Sequence, residues 1–238
     1  CGTGLFVGEW GTEGTGDGQF ELPVDLWVEG PGTVLVADVA TNRIQRFTAE
    51  GVYLGQWGST GTADGQFNSP YGMATDASGA VYVADTFNHR IQKFDAAGNF
   101  LLAWGGYGHD PGQFDYPYDV AVDATGDVYV ADYENYRVQK FDGSGGFLTM
   151  WGSEGSGNGQ FEGAYSIATD ASGRVLVADS AADRIQVFDG AGGFITPWGT
   201  TGPADGQFLL PDGIATADGG RVYVADRGNE RIQLFLCP

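Results

Sequence analysis

The chain has 238 residues, of which 42% are hydrophobic, and these figures fit one globular domain rather than a disordered chain. Its formal net charge of −20 repels nucleic acids and anionic membranes, so we expect neither among its partners. No apolar run approaches the roughly 20 residues that cross a bilayer.

The sequence repeats itself five times. A segment of the form V-A-D-x-x-x-x-R-[IV]-Q-x-F begins at Val36, Val83, Val130, Val177 and Val224, always 47 residues after the previous copy. A Gly-Gln-Phe tripeptide and a Trp-Gly pair keep the same spacing. A fixed period of this length is typical of architectures in which each unit packs on its neighbours.

Each repeat is predicted to form four short strands, which in the second repeat lie at about residues 71–75, 80–85, 90–94 and 99–104. These segments are rich in β-branched and aromatic residues, and turns of the type Asp-Ala-Ala-Gly separate them. Four antiparallel strands in each of five repeats predict an all-β, five-bladed β-propeller that forms a single domain over residues 1–238.

The two ends of the chain predict how the ring closes. Residues 5–10 resemble the fourth strand of a blade, whereas the last repeat ends after its third strand. We expect this N-terminal strand to complete the last blade. Cys1 and Cys237 then meet at one turn, which predicts a structural disulfide and an extracytoplasmic (secreted or periplasmic) location.

The repeat resembles a known family. The sequence PYGMATDASGAVYVADTFNHRIQKFDAAGNFLLAWG at residues 70–105 is similar to the NHL repeat, and all five repeats share its pattern. This resemblance implies a β-propeller, although many members have six blades, so five blades imply a narrower channel. The family includes protein-binding modules, RNA-binding modules and a few metal-dependent lyases, so the fold alone names no activity.

An Asp and an Arg five residues apart recur in every repeat. Because a catalytic group is needed once and not five times, we interpret these pairs as structural ion pairs that fix a hairpin. They are Asp38 with Arg43, Asp85 with Arg90, Asp132 with Arg137, Asp179 with Arg184, and Asp226 with Arg231. Trp27 stands where the other repeats have alanine, and we expect its indole to plug the channel or distort one blade interface.

Positions that differ between repeats indicate a binding face. Aromatic side chains concentrate on one face of the second to fourth blades, with carboxylates between them, and such a surface suits a peptide, a protein or a glycan. The alternative is that these tyrosines are half-buried rim residues. The candidate ligand-binding residues are Tyr71, Phe87, His89, Tyr116, Tyr118, Asp119, Tyr133, Tyr136 and Tyr165.

Two function hypotheses follow. The first is a monomeric, non-catalytic binding or scaffold propeller without a cofactor or metal, natural or engineered, because no nucleophile elbow or phosphate loop is present. The second is a metal-dependent lyase or hydrolase, as the family resemblance allows. Its site would lie at the channel mouth and would involve Asp25, Asp119, His89 or His109.

Overall fold

The computed structural model describes residues 7–30 and 32–237, and residues 1–6, Pro31 and Pro238 lie outside the described part. Five antiparallel sheets stand around a central channel, which confirms the all-β, five-bladed propeller. The first strands of consecutive blades contact one another and line the channel. In the described residues no helix is both long and apolar enough to span a membrane.

The strands follow one another in sheet order within each blade. A short parallel ladder comes first, with β1 (Thr12–Glu13) and β2 (Gln19–Phe20). The first blade contains β3 (Pro23–Glu29), β4 (Thr33–Asp38), β5 (Arg43–Thr48) and β6 (Tyr53–Trp57). The second contains β7 (Pro70–Thr75), β8 (Val81–Asp85), β9 (Arg90–Phe94) and β10 (Phe100–Gly105). The third contains β11 (Pro117–Val122), β12 (Val128–Asp132), β13 (Arg137–Phe141) and β14 (Phe147–Trp151).

The fourth blade contains β15 (Ala164–Thr169), β16 (Val175–Asp179), β17 (Arg184–Phe188) and β18 (Phe194–Trp198). The fifth contains β19 (Pro211–Ala217), β20 (Arg221–Asp226) and β21 (Arg231–Leu236). In the second to fifth blades a single 3-10 turn joins the second and third strands, at Thr86–Asn88, Tyr133–Asn135, Ser180–Ala182 and Arg227–Asn229.

Aromatic side chains join each blade to the next. Trp57 of the first blade packs on Phe94 of the second, with ring centroids 5.9 Å apart. The same ring covers Gly98, where a Cβ would lie 2.8 Å from the indole and where φ is +84°. Only glycine fits such a position without strain. The tryptophan that recurs every 47 residues therefore makes contacts between neighbouring blades.

The repeated Asp–Arg pairs form in all five blades. Their Nε–Oδ2 distances are 3.6 Å in the first blade and 2.7–2.8 Å in the others, and every one of these aspartates is fully buried. The guanidinium of Arg137 also donates to the carbonyl oxygens of His109, Asp110 and Gln113. The pair thus fastens the loop that enters the blade, which is a structural role.

The fifth blade differs from the others in the described part of the chain. It contains three strands, and residues 7–10, the described part of the predicted closing strand, are not in a strand. Trp10 packs on Phe47 of the first blade, with ring centroids 6.3 Å apart, as Trp57 packs on Phe94 of the blade that follows it. The predicted pairing of residues 5–10 with the fifth blade is therefore not confirmed, because the described residues form no ladder with β21, although Trp10 makes the contact with the next blade that the prediction implies. Leu5 and Phe6 lie outside the described residues.

The fifth and first blades also share no hydrophobic cluster among the described residues. Ile232 on β21 is 66% exposed, whereas Ile91 at the same repeat position is fully buried. Leu26 on β3 is 65% exposed, whereas its counterpart Met73 is buried. We call the gap between these two blades the seam, defined by Leu26, Val28, Ile232 and Leu234. Among residues 7–30 and 32–237, four blade interfaces are packed and this fifth one is not.

Only one of the two cysteines in the predicted disulfide is among the described residues. Cys237 is half-buried, and burial raises the pKa of its thiol. Cys1 lies outside the described residues, so the Cys1–Cys237 disulfide stays a prediction, as does the extracytoplasmic location.

Candidate functional site at the channel mouth

Three tyrosines stand at one repeat position on the first strands of the second, third and fourth blades. Tyr71 meets Tyr118 edge to face at 5.0 Å between ring centroids, and Tyr118 stacks on Tyr165 at 4.7 Å. Tyr133 completes the group in edge-to-face contacts, with its ring centroid 5.1 Å from that of Tyr118 and 6.0 Å from that of Tyr165. We call these four residues the tyrosine cluster. The structure thus brings together four of the predicted ligand-binding residues.

A backbone irregularity directs these rings to the mouth. The pairing register of β11 with β12 shifts between Pro117 and Asp119, and β15 shifts in the same way around Tyr165. Such a bulge re-aims the side chain of the extra residue and is common beside functional sites. Pro117 is buried while Tyr118 is half-buried, so the bulge leaves the tyrosine ring accessible from the channel.

Two carboxylates and a hydroxyl lie one residue deeper and bridge neighbouring blades. Asp25 accepts a hydrogen bond from the backbone N–H of Met73 at 2.9 Å. Asp119 accepts from the Ser166 hydroxyl at 2.7 Å and from the N–H of Ile167 at 2.9 Å. We call these contacts, together with the bond from the N–H of Ile214 to Ser166 Oγ at 3.2 Å, the inter-blade clasps.

The environment of the two carboxylates favours their protonated forms. Burial in the channel wall raises the pKa of Asp119 to about 6. Burial and the neighbouring charge of Asp119 raise the pKa of Asp25 well above its usual range. Both carboxylates flank the Gly72–Met73 peptide, because Asp25 bonds to Met73 and a Cβ on Gly72 would lie 2.1 Å from Asp119 Oδ1. Carboxylates shifted in this way occur at functional sites.

A cavity of about 690 Å³ opens at this mouth. Its polar lining includes Asp25, Asp119 and Asp212, and its deeper walls are apolar, with Val120 and Ile167 among them. The volume lies within the range of small-molecule sites. The cavity reaches the seam, since Ile232 also lines it.

Trp27 lines the cavity and does not fill it. Its indole packs beside the hydrophobic clusters on both sides of the second blade, and its Nε1–H donates to Thr75 Oγ1 at 2.9 Å. The indole therefore forms part of the channel wall and is not the expected plug, because this hydrogen bond holds it against the second blade.

The remaining predicted aromatic residues lie on the rim outside the cavity lining. Phe87 meets Tyr116 at 5.3 Å, and His89 meets Tyr116 at 4.8 Å between ring centroids. Tyr107, which the sequence analysis did not select, joins them through His89 at 5.0 Å. Tyr136 lies apart from both groups and packs beside the cluster between the third and fourth blades.

Several lining residues were not among the predicted ligand contacts. Ser166 shares the repeat position of Asp119, and Asp212 shares that of Tyr118. Asp25 was expected only as a metal ligand. Alignment of the repeats was the signal for all three, since residues at one repeat position on the first strands face one channel.

The residues proposed for a metal do not come together. Asp25 and Asp119 are in the channel wall, whereas His89 and His109 are on the rim with Tyr107 between them. The described part of the chain contains no group of three or more His, Cys, Asp or Glu residues arranged to hold a metal ion. These donors therefore do not fit the metal centre that the second hypothesis requires.

The geometry defines a class of protein, a β-propeller with a ligand-sized, aromatic and acidic channel mouth. A family model described as "NHL repeat" matches residues 67–94, 114–141 and 208–235. A 47-residue segment is 49% identical to human E3 ubiquitin-protein ligase TRIM32, over 20% of this chain and 7% of that protein. The predicted NHL repeat is thus confirmed at three of the five repeat positions, and the chain matches only a small part of that relative's length.

Solved structures share the fold over most of the chain. A catalytically inactive histidine-to-alanine variant of virginiamycin B lyase from Staphylococcus aureus, with quinupristin, aligns with a TM-score of 0.67 at 16% identity. The alignment covers 94% of this chain and 72% of that one. A streptogramin B lyase aligns with a TM-score of 0.63 at 13% identity, over 90% of this chain and 68% of that one. A protein from Bacteroides caccae aligns with a TM-score of 0.65 at 15% identity, over 86% and 70%.

These structures correct one prediction. The expectation that the chain is not an enzyme is wrong, because lyases have the same fold and align with the chain over most of its length. Identities of 13–16% carry the fold alone, so the reaction of those lyases is not assigned to this chain.

Proposed function

We propose that this propeller binds a ligand in the mouth of the central channel. The part of the ligand that enters the mouth has the size of a peptide or glycan segment. The observation that carries the proposal is the tyrosine cluster, which stands over a cavity of about 690 Å³. Aromatic rings supply large contact area at a low cost in conformational entropy, and concave sites of this size bury most of a small ligand.

The test is a thermal-shift screen of the whole chain against peptide and glycan libraries, followed by calorimetry on the best ligand. We expect Tyr118→Ala with Tyr165→Ala to weaken binding at least ten-fold, because the stacked pair lines the mouth. Tyr107→Ala is the matched control, since Tyr107 is exposed and lies outside the cavity lining.

The melting temperature of each variant is measured beside its affinity. Tyr118→Phe keeps the ring and removes only the hydroxyl, so it separates loss of contact from loss of packing. Equal affinity of the double variant and the parent chain would refute a site at the tyrosine cluster.

A second candidate function rests on the two carboxylates of the channel wall. Asp25 and Asp119 have raised pKa values and flank one peptide unit. One ionised and one protonated carboxyl group can serve as base and acid in an elimination, where the first removes a proton from carbon and the second protonates the leaving group.

This candidate has its own assay. The chain is incubated with quinupristin, and its conversion is followed by liquid chromatography against Asp119→Asn. Conversion that the substitution abolishes supports acid–base catalysis. Conversion that survives the substitution, or the absence of conversion of this and related cyclic depsipeptides, argues against it.

A further inference from the structure

The charge of the cavity is of one sign. Its lining includes Asp25, Asp119 and Asp212, and no lysine, arginine or histidine is among the described residues that line it. Arg227 is outside this lining. Its Nε pairs with Asp212 Oδ2 at 3.1 Å, and 62% of its side chain is exposed. With a net charge of −20 on the chain, the cavity attracts cations and repels anions.

The aromatic surface of the mouth also favours a cationic ligand. Burial and the neighbouring tyrosines raise the pKa values of Tyr118 and Tyr165, so their hydroxyls stay neutral and their rings keep electron-rich faces. The chain already uses this contact elsewhere. Lys93 Nζ lies 4.7 Å from the ring centroid of Tyr82, and Lys140 Nζ lies 5.0 Å from that of Tyr129.

The carboxylates retain capacity for a ligand. Asp25 accepts two hydrogen bonds and Asp119 accepts three, whereas a carboxylate has about four lone-pair sites. A cation in the cavity would stabilise their ionised forms and displace the protons that burial favours. Ligand binding and proton release are therefore linked at this site.

We infer that the channel mouth selects organic cations, namely ligands with an ammonium or alkylated ammonium group on an apolar body. The cation would face the tyrosine cluster and the carboxylates, and the apolar body would pack on the walls below. This inference rests on the proposed binding function and specifies its ligand class.

The experiment compares choline with its neutral carbon isostere, 3,3-dimethylbutan-1-ol, by calorimetry on the whole chain at constant ionic strength. The two probes have nearly the same shape, so a difference in affinity reports the charge. We expect choline to bind at least ten-fold more tightly than the isostere, and more tightly at pH 8 than at pH 5. The titratable groups that face the probe are Asp25, Tyr71, Tyr118, Asp119, Tyr165, Asp212 and Tyr223, with Arg227 behind Asp212.

Three variants separate the local site from the general field of the protein. Asp119→Asn and Asp212→Asn should each weaken choline binding at least five-fold, and Asp212 forms no inter-blade clasp, so its variant does not depend on blade packing. Asp110→Asn makes the same charge change on an exposed rim residue outside the cavity and should leave affinity unchanged.

Equal binding of choline and the isostere would overturn the inference, and so would an equal loss in Asp110→Asn and Asp212→Asn. If neither probe binds while a neutral peptide or glycan binds in a Tyr118-dependent way, the ligand class is wrong and the proposed function stands. If no ligand depends on Tyr118, the proposed function itself is wrong.

Discussion

The interface between the second and third blades and the seam between the fifth and first blades are built from the same repeat positions, yet only the first is packed. Ile91 is fully buried and Ile232 is 66% exposed, although both follow the repeated arginine. Neither interface has an inter-blade clasp, because the clasp position is Gly72 in the second blade and Gly213 in the fifth, so the clasps do not account for the difference. A repeat position therefore specifies a residue type, and the neighbouring blade decides whether that residue is buried.

The largest expected effect tests this difference directly. Ile91→Ala should lower the free energy of unfolding by about 2–5 kcal/mol, because it removes buried methylene groups and leaves a cavity. Ile232→Ala should lower it by no more than about 0.5 kcal/mol, because the side chain is exposed in the seam. Urea unfolding followed by tryptophan fluorescence measures both.

The pair of variants also shows when the comparison fails. If Ile232→Ala costs as much as Ile91→Ala, the seam is filled in solution, and residues 5–10 or another partner must cover β21. Urea unfolding of a reduced sample then tests whether the predicted Cys1–Cys237 disulfide contributes to that closure.

The packed part of the fold could be predicted from the sequence because its determinants are local and repeated. The Asp and Arg of one hairpin are five residues apart, and the same pair forms in every blade. The seam could not be predicted in this way. The other blades pair their third and fourth strands across a short turn, whereas residues 5–10 and β21 lie far apart in the sequence, so no turn joins them.

The site was predictable in part for the same reason. Tyr71, Tyr118 and Tyr165 share one repeat position, so a ring of blades brings them to one mouth. Phe87 and His89 were grouped with them by face alone, and they lie on a separate part of the rim because the connection between β8 and β9 carries them, not a first strand. The raised pKa of Asp119 depends on burial by several blades, which no local pattern contains.

A second, smaller effect compares two glycines at one repeat position, neither of which has a positive φ. A Cβ on Gly72 would lie 2.1 Å from Asp119 Oδ1 and 2.6 Å from its Cα, whereas a Cβ on Gly213 would meet only Ala225 at 3.3 Å. We expect Gly72→Ala to cost about 1–3 kcal/mol through overpacking and Gly213→Ala to cost less than about 1 kcal/mol. Thermal unfolding ranks them, and equal costs would show that the first strands are equally crowded on both sides of the ring.

The smallest expected effect is the pH dependence that the inter-blade clasps impose on stability. Burial raises the pKa of Asp119 to about 6 and that of Asp25 well above its usual range, compared with about 3.9 for aspartate in an unfolded chain. Between these values the folded state binds more protons than the unfolded state, so stability falls as pH rises from about 4 through about 6. The rise in the pKa of Asp119 to about 6 corresponds to at most about 3 kcal/mol, and because solvent at the channel mouth screens the charge, the expected loss is about 1 kcal/mol.

Other carboxylates act in the opposite direction at lower pH. Hydrogen bonds from Asn99 and Ser144 lower the pKa values of Asp95 and Asp142, so their contribution is present above about pH 4 and is lost below it. Stability should therefore be greatest in mildly acidic solution, which urea unfolding from pH 3 to pH 8 at constant ionic strength measures. Asp119→Asn should flatten the limb above pH 4, while Asp95→Asn should change only the limb below it. A parent chain whose stability rises from pH 4 to pH 7 would show that burial does not raise the pKa values of the two channel aspartates.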